Sequence, residues 1–487
     1  MLASQLLKPR LARSLLPGTC AHPPPLSLPC LPPSSRSSSP FRFPTSSLTR
    51  TIAWSRSYSI EPRSNDSLML NGTAYPRDNY TNVTPTILSK LPRQLHLNPS
   101  HPIGILRTLI ESHFNTFTHL NSLSPIVTVQ QNFDDLGFPP DHPGRSLTDS
   151  YYLNQAHMLR THTSAHEVES FRAGLDRFLL TADVYRRDEI DRSHYPVFHQ
   201  MEGCNVFDPE EGGLQQMVKE NEVMRDQLSQ ANIVIEDPTS EQTATNPYQA
   251  EHDPETARII AEHLKNTLNG LVLKLFGGRS GAENGEPLQV RWIEATFPWT
   301  APSYEVEVLF NGKWLEILGC GVVRQAALER SGVDHKQGWA FGLGLERIAM
   351  VLFGIPDIRL FWSQDARFAN QFKQGQISTF KPYSKYPECY KDIAFWLPPP
   401  QEQQSGEGKQ AAWHENDFME IVRDVAGDLV EGVSLIDSFT HPKTSRQSRC
   451  YRINYRSMDR SLSNEETNSL QSKVEERLVS EVGVEVR

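Results

Sequence analysis

The stretch Tyr304-Glu-Val-Glu-Val-Leu-Phe-Asn-Gly-Lys-Trp-Leu-Glu-Ile-Leu318 decides how the chain is read. Two runs of alternating apolar and polar residues flank Asn311-Gly312. Both central residues accept the positive φ of a type I′ turn, so the spacing predicts an antiparallel hairpin with a two-residue loop. In that register Glu307 faces Glu316, and Glu305 lies on the same face two residues away. Like charges directly opposite weaken a sheet. A cation among the three carboxylates would resolve the conflict, whether Mg²⁺, a ligand ammonium or an arginine. A solvated outer sheet face would resolve it equally well.

Outward from the hairpin, two further segments carry concentrated chemistry. Val184-Tyr-Arg-Arg-Asp188 precedes a loop and then Tyr195-Pro-Val-Phe-His-Gln-Met-Glu202. Gly338-Trp-Ala-Phe-Gly-Leu-Gly-Leu-Glu-Arg347 is a glycine-rich turn entering an apolar helix over 348–352. It fits neither the dinucleotide fingerprint nor the phosphate-binding P-loop. After His101-Pro102, residues Ile105, Leu106, Leu109, Ile110 and Phe114 recur at helical spacing. Residues 61–95 read as polar and irregular, 168–180 as an amphipathic stretch leading into 182–187, and 203–255 as a surface insertion.

The last hundred residues read as a separate small domain. Strands at 392–397, 433–439, 450–456 and 482–486 alternate with two helices in the order βαββαβ. The second helix opens on a capping box, Ser463-x-x-Glu466. Along the third strand Tyr451, Ile453 and Tyr455 face one way and Arg452, Asn454 and Arg456 the other. Window 441–460 holds six basic residues, Lys443, Arg446, Arg449, Arg452, Arg456 and Arg460, against one acid, Asp459. Basic residues interleaved with tyrosines suit phosphates and stacked bases. A solvated charged strand would show the same pattern.

Length and composition bound these readings. The 487 residues have a formal charge of −10. At about 150 residues per domain they make two to four domains. No apolar run is long enough for a membrane helix, which leaves no role in a membrane. The six cysteines include no CxxC pair and are too few for a disulfide framework, so a reducing compartment fits. Residues 1–60 contain seven basic and no acidic residues and are rich in Ser and Pro. That is the composition of a mitochondrial transit peptide, with a processing site after Tyr58; a plain polar tail or plastid targeting share it. Without that segment the charge falls to −17, so any polyanion must bind a local patch.

Taken together, the motifs resemble the class II aminoacyl-tRNA synthetases. Tyr185-Arg-Arg-Asp188 resembles their motif 2 and Gly342-Leu-Gly-Leu-Glu-Arg347 their motif 3. Asp141-His-Pro-Gly-Arg145, His162-Thr-Ser164, Phe198-His-Gln-Met-Glu202 and Phe297-Pro-Trp-Thr300 resemble the phenylalanyl branch. The βαββαβ segment looks like the ferredoxin-like anticodon-binding domain of that branch's mitochondrial members. The resemblance implies an α+β fold: a mostly antiparallel catalytic sheet flanked by helices, plus the small C-terminal domain. It divides the chain into a transit peptide (1–58), an extension (59–100), a catalytic domain (101–382, with the insertion 203–255) and an anticodon-binding domain (383–487).

It also implies an activity: ATP-dependent activation of L-phenylalanine, then transfer to mitochondrial tRNA-Phe, by a monomer in the mitochondrial matrix. Arg186 and Arg347 would grip the phosphates of ATP, since a planar guanidinium holds two oxygens at once. Phe198 would stack on adenine, with Asp188 and His194 nearby. His162, Ser164, Ala165, His166, Gln200 and Glu202 match positions around the amino acid's polar end. Phe297, Trp299, Ala340 and Phe341 match its ring pocket, although Phe-Pro-Phe is the usual pattern and Trp299 departs from it. Glu316 matches a binding-site position, with Mg²⁺ as the expected metal; Glu305 and Glu307 as part of the ion's surroundings follow from the hairpin register. Lys443, Arg446, Arg449, Arg452 and Arg456 would contact tRNA. No stretch remains for an editing domain. Two other functions fit parts of the pattern: an adenylate-forming enzyme that does not use tRNA, and a noncatalytic RNA-binding relative. The C-terminal domain weighs against the first and the retained Arg186 and Arg347 against the second.

Overall fold

The computed structural model describes residues 67–239, 243–279, 285–383, 386–398 and 413–487. The transit-peptide reading of 1–58 lies outside these residues. The described chain opens with a hairpin, β1 (Ser67–Leu70) and β2 (Thr73–Pro76), where polarity alone reads as irregular. Asn71 and Gly72 take φ of 53° and 78° at its tip. β3 (Thr118–Leu120) follows, and β4 (Ile126–Thr128), β5 (Tyr152–Asn154) and β6 (His157–Leu159) form a small separate sheet.

The main sheet has eight strands in the order β3-β7-β8-β13-β12-β11-β10-β9. Its remaining members are β7 (Arg177–Tyr185), β8 (Val197–Phe207), β9 (Ile233–Glu236), β10 (Leu288–Phe297), β11 (Thr300–Phe310), β12 (Lys313–Val323) and β13 (Gln337–Gly344). The six central strands pair antiparallel; only the two edge strands pair parallel. The hairpin forms as its spacing predicts. Asn311 and Gly312 have φ of 48° and 75°, and Glu307 pairs with Glu316. One residue further the register shifts, so that Val306 faces Leu318 and Ile317 is left over as a bulge.

Alternation along the strands gives the sheet two unlike faces. On one, Trp292, Tyr304, Val306, Leu318, Trp339, Phe341 and Leu343 are buried in the main core with the helices α1 (Pro102–Glu111), α2 (Pro254–Phe276) and α3 (Leu345–Phe353). Each of α1 and α2 starts with Pro at its first position behind a side-chain cap, His101 or Asp253. The other face carries Phe198, Gln200, Glu202, Gly319, Gly321, Ala340, Gly342 and Gly344 and is the face left for a ligand.

Two sequence expectations are corrected by this topology. Residues 203–207 are the buried end of β8, so the segment 203–255 is not wholly a surface insertion; its polar helix Gly213–Ser229 is peripheral, and β9 extends the sheet edge. Residues 168–180 do not form one amphipathic element. A helix, Glu167–Arg172, stops before Gly174 at φ 79°, and β7 starts at Arg177.

The C-terminal domain has a four-stranded sheet in the order β15-β16-β14-β17, built from β14 (Cys389–Trp396), β15 (Val430–Thr440), β16 (Gln447–Tyr455) and β17 (Glu485–Val486). The helices Glu415–Ala426 and Asn464–Arg477 pack on one side, and Ser463 caps the second by accepting from Glu466 N. Tyr451 and Tyr455 are 1% and 0% exposed in this core, so they cannot stack on bases as their spacing suggested. The four described cysteines in the chain are all free.

The closeness of β8 and β13 depends on Gly338: a Cβ there would sit 2.0 Å from Asn205 O. Backbone cannot yield as a flexible side chain does. Gly338→Ala is expected to destabilise the fold by about 1–3 kcal/mol, read as a lower midpoint in urea unfolding.

Candidate active site

Arg186 extends from the end of β7, its backbone N–H donating to Pro196 O (3.0 Å) beside the start of β8. Its Nε donates to Thr161 O (2.8 Å), and its guanidinium carbon lies 5.2 Å from the Phe198 ring centroid. Burial draws its pKa below the ordinary arginine value, with Asp188 opposing that shift. Beneath it, Arg160 is buried and ion-paired to Asp183 (2.5 Å), while its Nε donates to the Asp183 carbonyl (2.6 Å). This fixes the strand from which Arg186 projects.

Arg347 lies in the first turn of α3. The preceding residue, Glu346, is bonded twice to His199: Oε2 accepts the backbone N–H (2.7 Å) and Oε1 accepts from Nδ1 (2.6 Å). Arg347 Nη1 reaches to 4.0 Å from Glu316. Arg186, Phe198, Arg347 and Glu316 therefore gather at one end of adjacent strands on one sheet face. Between them, Gly342 and Gly344 pair with Glu202 and Gln200, and a Cβ built on either glycine meets nothing within 4 Å. They form the floor of an open groove.

At the groove's inner end the side chains turn aromatic. Phe297 lies over Gly319, whose Cβ would come within 2.7 Å of the ring. Trp299 stacks at 5.9 Å on Phe297 and at 5.9 Å on His162, and His162 stacks on Phe138 at 5.5 Å. Neither nitrogen of the buried His162 ring has a hydrogen-bond partner. Burial first, and the nearby Arg186 second, lower its pKa to about 3. Ser164 Oγ donates to Glu202 Oε2 (2.8 Å), and Gln200 Oε1 accepts from Thr163 N (3.4 Å).

Several predicted residues stand elsewhere. Phe341 belongs to the helix-covered face: it pairs with Gly203, stacks on Phe114 at 5.4 Å and is 2% exposed. Strand alternation puts it opposite Ala340, so it cannot wall the same pocket. Ala165 packs in a side cluster with Val127, Phe138 and Tyr152. His166 is spanned between Arg160, which donates to its Nε2 (2.9 Å), and Glu169, which accepts from Nδ1 (2.6 Å). His194 donates to Asp191 (2.6 Å) and lines a cleft against the C-terminal domain with Lys90, Arg423 and Asp428.

Among the hairpin carboxylates the balancing cation is arginine. Glu307 is bonded to Arg291 Nε, and Glu316 faces Arg347. Glu316, beside the open groove, fits a Mg²⁺ shared with phosphates, since that ion takes one or two carboxylates and keeps other oxygen ligands. Glu307 is already engaged, and Glu305 faces Gly319 across the register shift.

The basic window is less positive than its sequence. Arg446 pairs with Glu485 (2.6 Å), Arg452 with Asp392 (2.7 Å), Arg456 with Glu431 (3.1 Å) and Arg460 with Glu466 (2.5 Å). Among the described residues, Lys443 and Arg449 form no ion pair. Tyr390 and Phe439 are exposed aromatics on this sheet, and the half-buried Trp396 lies 6.2 Å from Phe439; Arg446 and Arg487 lie 5.1 and 5.0 Å from the Trp396 ring. Tyr390 precedes the strand expected at 392–397, while Trp396 and Phe439 lie within expected strands whose faces periodicity leaves unassigned.

The C-terminal domain seats on the turn that follows Arg186. Arg187 pairs with Asp417 (3.1 Å), Arg423 donates to Asp188 O, and Val433 N–H donates to Ile190 O (2.9 Å).

Residues 88–220 and 249–372 match the family described as tRNA synthetases class II core domain (F), and residues 384–487 match the ferredoxin-fold anticodon binding domain. A Saccharomyces cerevisiae protein named phenylalanine–tRNA ligase, mitochondrial, is 49% identical over 86% of this chain and 94% of its own length. A Mus musculus protein of the same name is 45% identical over 86% and 89%. An Arabidopsis thaliana phenylalanine–tRNA ligase, chloroplastic/mitochondrial, is 47% identical over 84% and 83%.

His96, His101 and His162 are all buried, and burial lowers each to about 3 from an ordinary 6.5. The unfolded chain binds these protons first, so the stabilising contribution is whole above pH 6.5 and is lost as pH falls toward 3. Each histidine is expected to remove roughly 1.4 kcal/mol per pH unit in that window. Urea midpoints measured from pH 7 to pH 4.5 check this, and His162→Gln is expected to flatten the dependence.

Proposed function

We infer the chemistry from one premise: this chain belongs to the class II phenylalanine–tRNA ligases and is an enzyme that joins phenylalanine to tRNA. The observation that carries the assignment of parts is the gathering of Arg186, Phe198, Arg347 and Glu316 at one end of adjacent strands, beside a glycine floor. ATP lies in that groove, adenine against Phe198 beside Asp188. Arg186 meets the α-phosphate and the amino acid's carboxylate, and Arg347 meets the γ-phosphate. A carboxylate oxygen of phenylalanine attacks the α-phosphorus and pyrophosphate leaves. A ribose hydroxyl at the tRNA end then attacks the acyl carbon and AMP leaves. Neither step needs a protein nucleophile; the chain supplies alignment and positive charge. Glu316 would hold Mg²⁺, which would supply further charge neutralisation at the phosphates.

The amino acid's ring fits between Phe297 and Trp299, over Ala340, with its ammonium toward Ser164, Gln200 and Glu202. An apolar pocket of this kind rejects an added hydroxyl by only ~10²-fold, so tyrosine is the competing substrate and no editing step follows. The tRNA partner meets the outer face of the C-terminal sheet and the end of β16 beside it, with Trp396, Phe439 and Tyr390 as stacking surfaces, and Lys443 in the β15–β16 turn and Arg449 near the start of β16 as phosphate contacts. The protein works as a single chain in the mitochondrial matrix. The relatives named mitochondrial and the acid-free residues 1–58 support that location.

Aminoacylation of mitochondrial tRNA with phenylalanine by residues 59–487 tests the function directly; no charged tRNA would refute it. Arg347→Ala is expected to lose about 1.5–3 kcal/mol of phosphate binding, a roughly 10- to 150-fold fall in phenylalanine-dependent pyrophosphate exchange, with the urea midpoint little moved. Lys443→Glu with Arg449→Glu is expected to raise the KM for tRNA several-fold and to reduce its salt dependence by about two phosphate contacts, leaving pyrophosphate exchange as it was.

A further inference from the structure

Behind Ser164 lie two acids that make an unusual pair. Glu167 and Glu202 are 2% and 3% exposed. An oxygen of each, with Cys204 Sγ, lies within 4.8 Å of the others. Glu202 Oε2 accepts from Ser164 Oγ, but Glu202 Oε1 and both oxygens of Glu167 have no hydrogen-bond donor. The neighbouring strands offer no cation. Opposite Glu202, β7 presents Leu180 and β13 presents Gly342. The polar groups acting on the pair are Thr163, Ser164 and Cys204. Two buried carboxylates cannot both stay ionised at such a separation without a proton or a cation between them.

We propose that Glu167 and Glu202 act as one unit, doubly protonated in mild acid when the groove holds no amino acid, which then releases a proton to solvent when a substrate ammonium docks on Glu202. Glu167, neutral in this range, is then a positioning residue: burial favours the proton on Glu202, and the O–H of Glu167 opposes that by bonding to the Glu202 carboxylate rather than touching the substrate. This rests on the reading of Glu202 as the ammonium's partner. The exchange balances. An O–H bond of the pair breaks, its electrons stay on the carboxylate, the proton passes to buffer, and the ammonium replaces its charge.

Direction and range follow from the surroundings. Burial lifts Glu202 to about 7. Burial, and then the charge of Glu202, push Glu167 well above the usual carboxylate range. The pair therefore holds two protons below about pH 7 and one above it. His162, at about 3, stays neutral throughout this window. Phenylalanine binding should release close to one proton at pH 6 and almost none by pH 8, and affinity should rise ~tenfold per pH unit below pH 7.

The test is calorimetric titration of L-phenylalanine into the full chain, without ATP, in buffers of different ionisation enthalpy. Heats that vary with buffer at pH 6, but little at pH 8, support the pair. Glu167→Met takes away the O–H that Glu167 offers Glu202, so Glu202 should keep its proton to higher pH and proton release should persist at pH 8. Buffer-independent heat with intact binding in the unaltered protein overturns the proposal without needing any variant, as does proton release from Glu167→Met that still fades by pH 8. If Glu202→Gln binds phenylalanine as tightly as the unaltered protein, the ammonium reading itself fails, which is a separate outcome.

Discussion

The double bond from Glu346 to His199 is the constraint on which the groove depends. Both side chains are almost fully excluded from solvent, and the carboxylate accepts from a backbone amide and an imidazole at once. Charge-assisted bonds of this kind are worth about 1.5–3 kcal/mol each. Their effect is geometric as much as energetic. His199 lies next to Phe198 and Glu346 next to Arg347, so one fastening sets an aromatic surface and a guanidinium relative to each other. On the far side, the buried Arg160–Asp183 pair does the same for Arg186. Arg186 and Arg347 are thus positioned by two buried anions that bond to their neighbours.

Around these fastenings the sheet separates its duties by face. Large rings, Trp339 and Phe341 among them, are spent on the helix side, where they anchor α1 and α2. Their neighbours in sequence on the groove side are Ala340, Gly342 and Gly344. The glycine-rich motif is therefore a strand with one bulky edge and one bare one. The same division lets Arg291 reach Glu307 from the next strand.

Much of this was legible because it rests on local spacing. Asn311-Gly312 set the hairpin and its Glu307–Glu316 register, and the βαββαβ order emerged from periodicity and the Ser463 cap. The same Asn-Gly signal at Asn71-Gly72 is harder to read, since its strands are only four residues each. Phe341 was misplaced because a motif gives residue identity without the face it points to. The tyrosines of β16 looked like base-stacking groups until the two helices were packed over them. The arginines beside them lost most of their charge to Glu485, Asp392 and Glu431, which lie elsewhere in the chain and could not be assigned to them from the window alone. The Glu167–Glu202 pair was invisible for a similar reason: its members are 35 residues apart and meet only through the fold.

The bare floor has a consequence for how such a protein fails. At Gly338 an added methyl group strikes backbone, but at Gly342 and Gly344 it strikes nothing. A bulky replacement at either of the latter two positions fills the trough while leaving the scaffold intact. Cellular proteolysis, which removes chains that unfold, would not recognise such a molecule as damaged. It would persist at ordinary abundance, with its RNA-facing surface unaltered, and would occupy nucleic acid that working copies require.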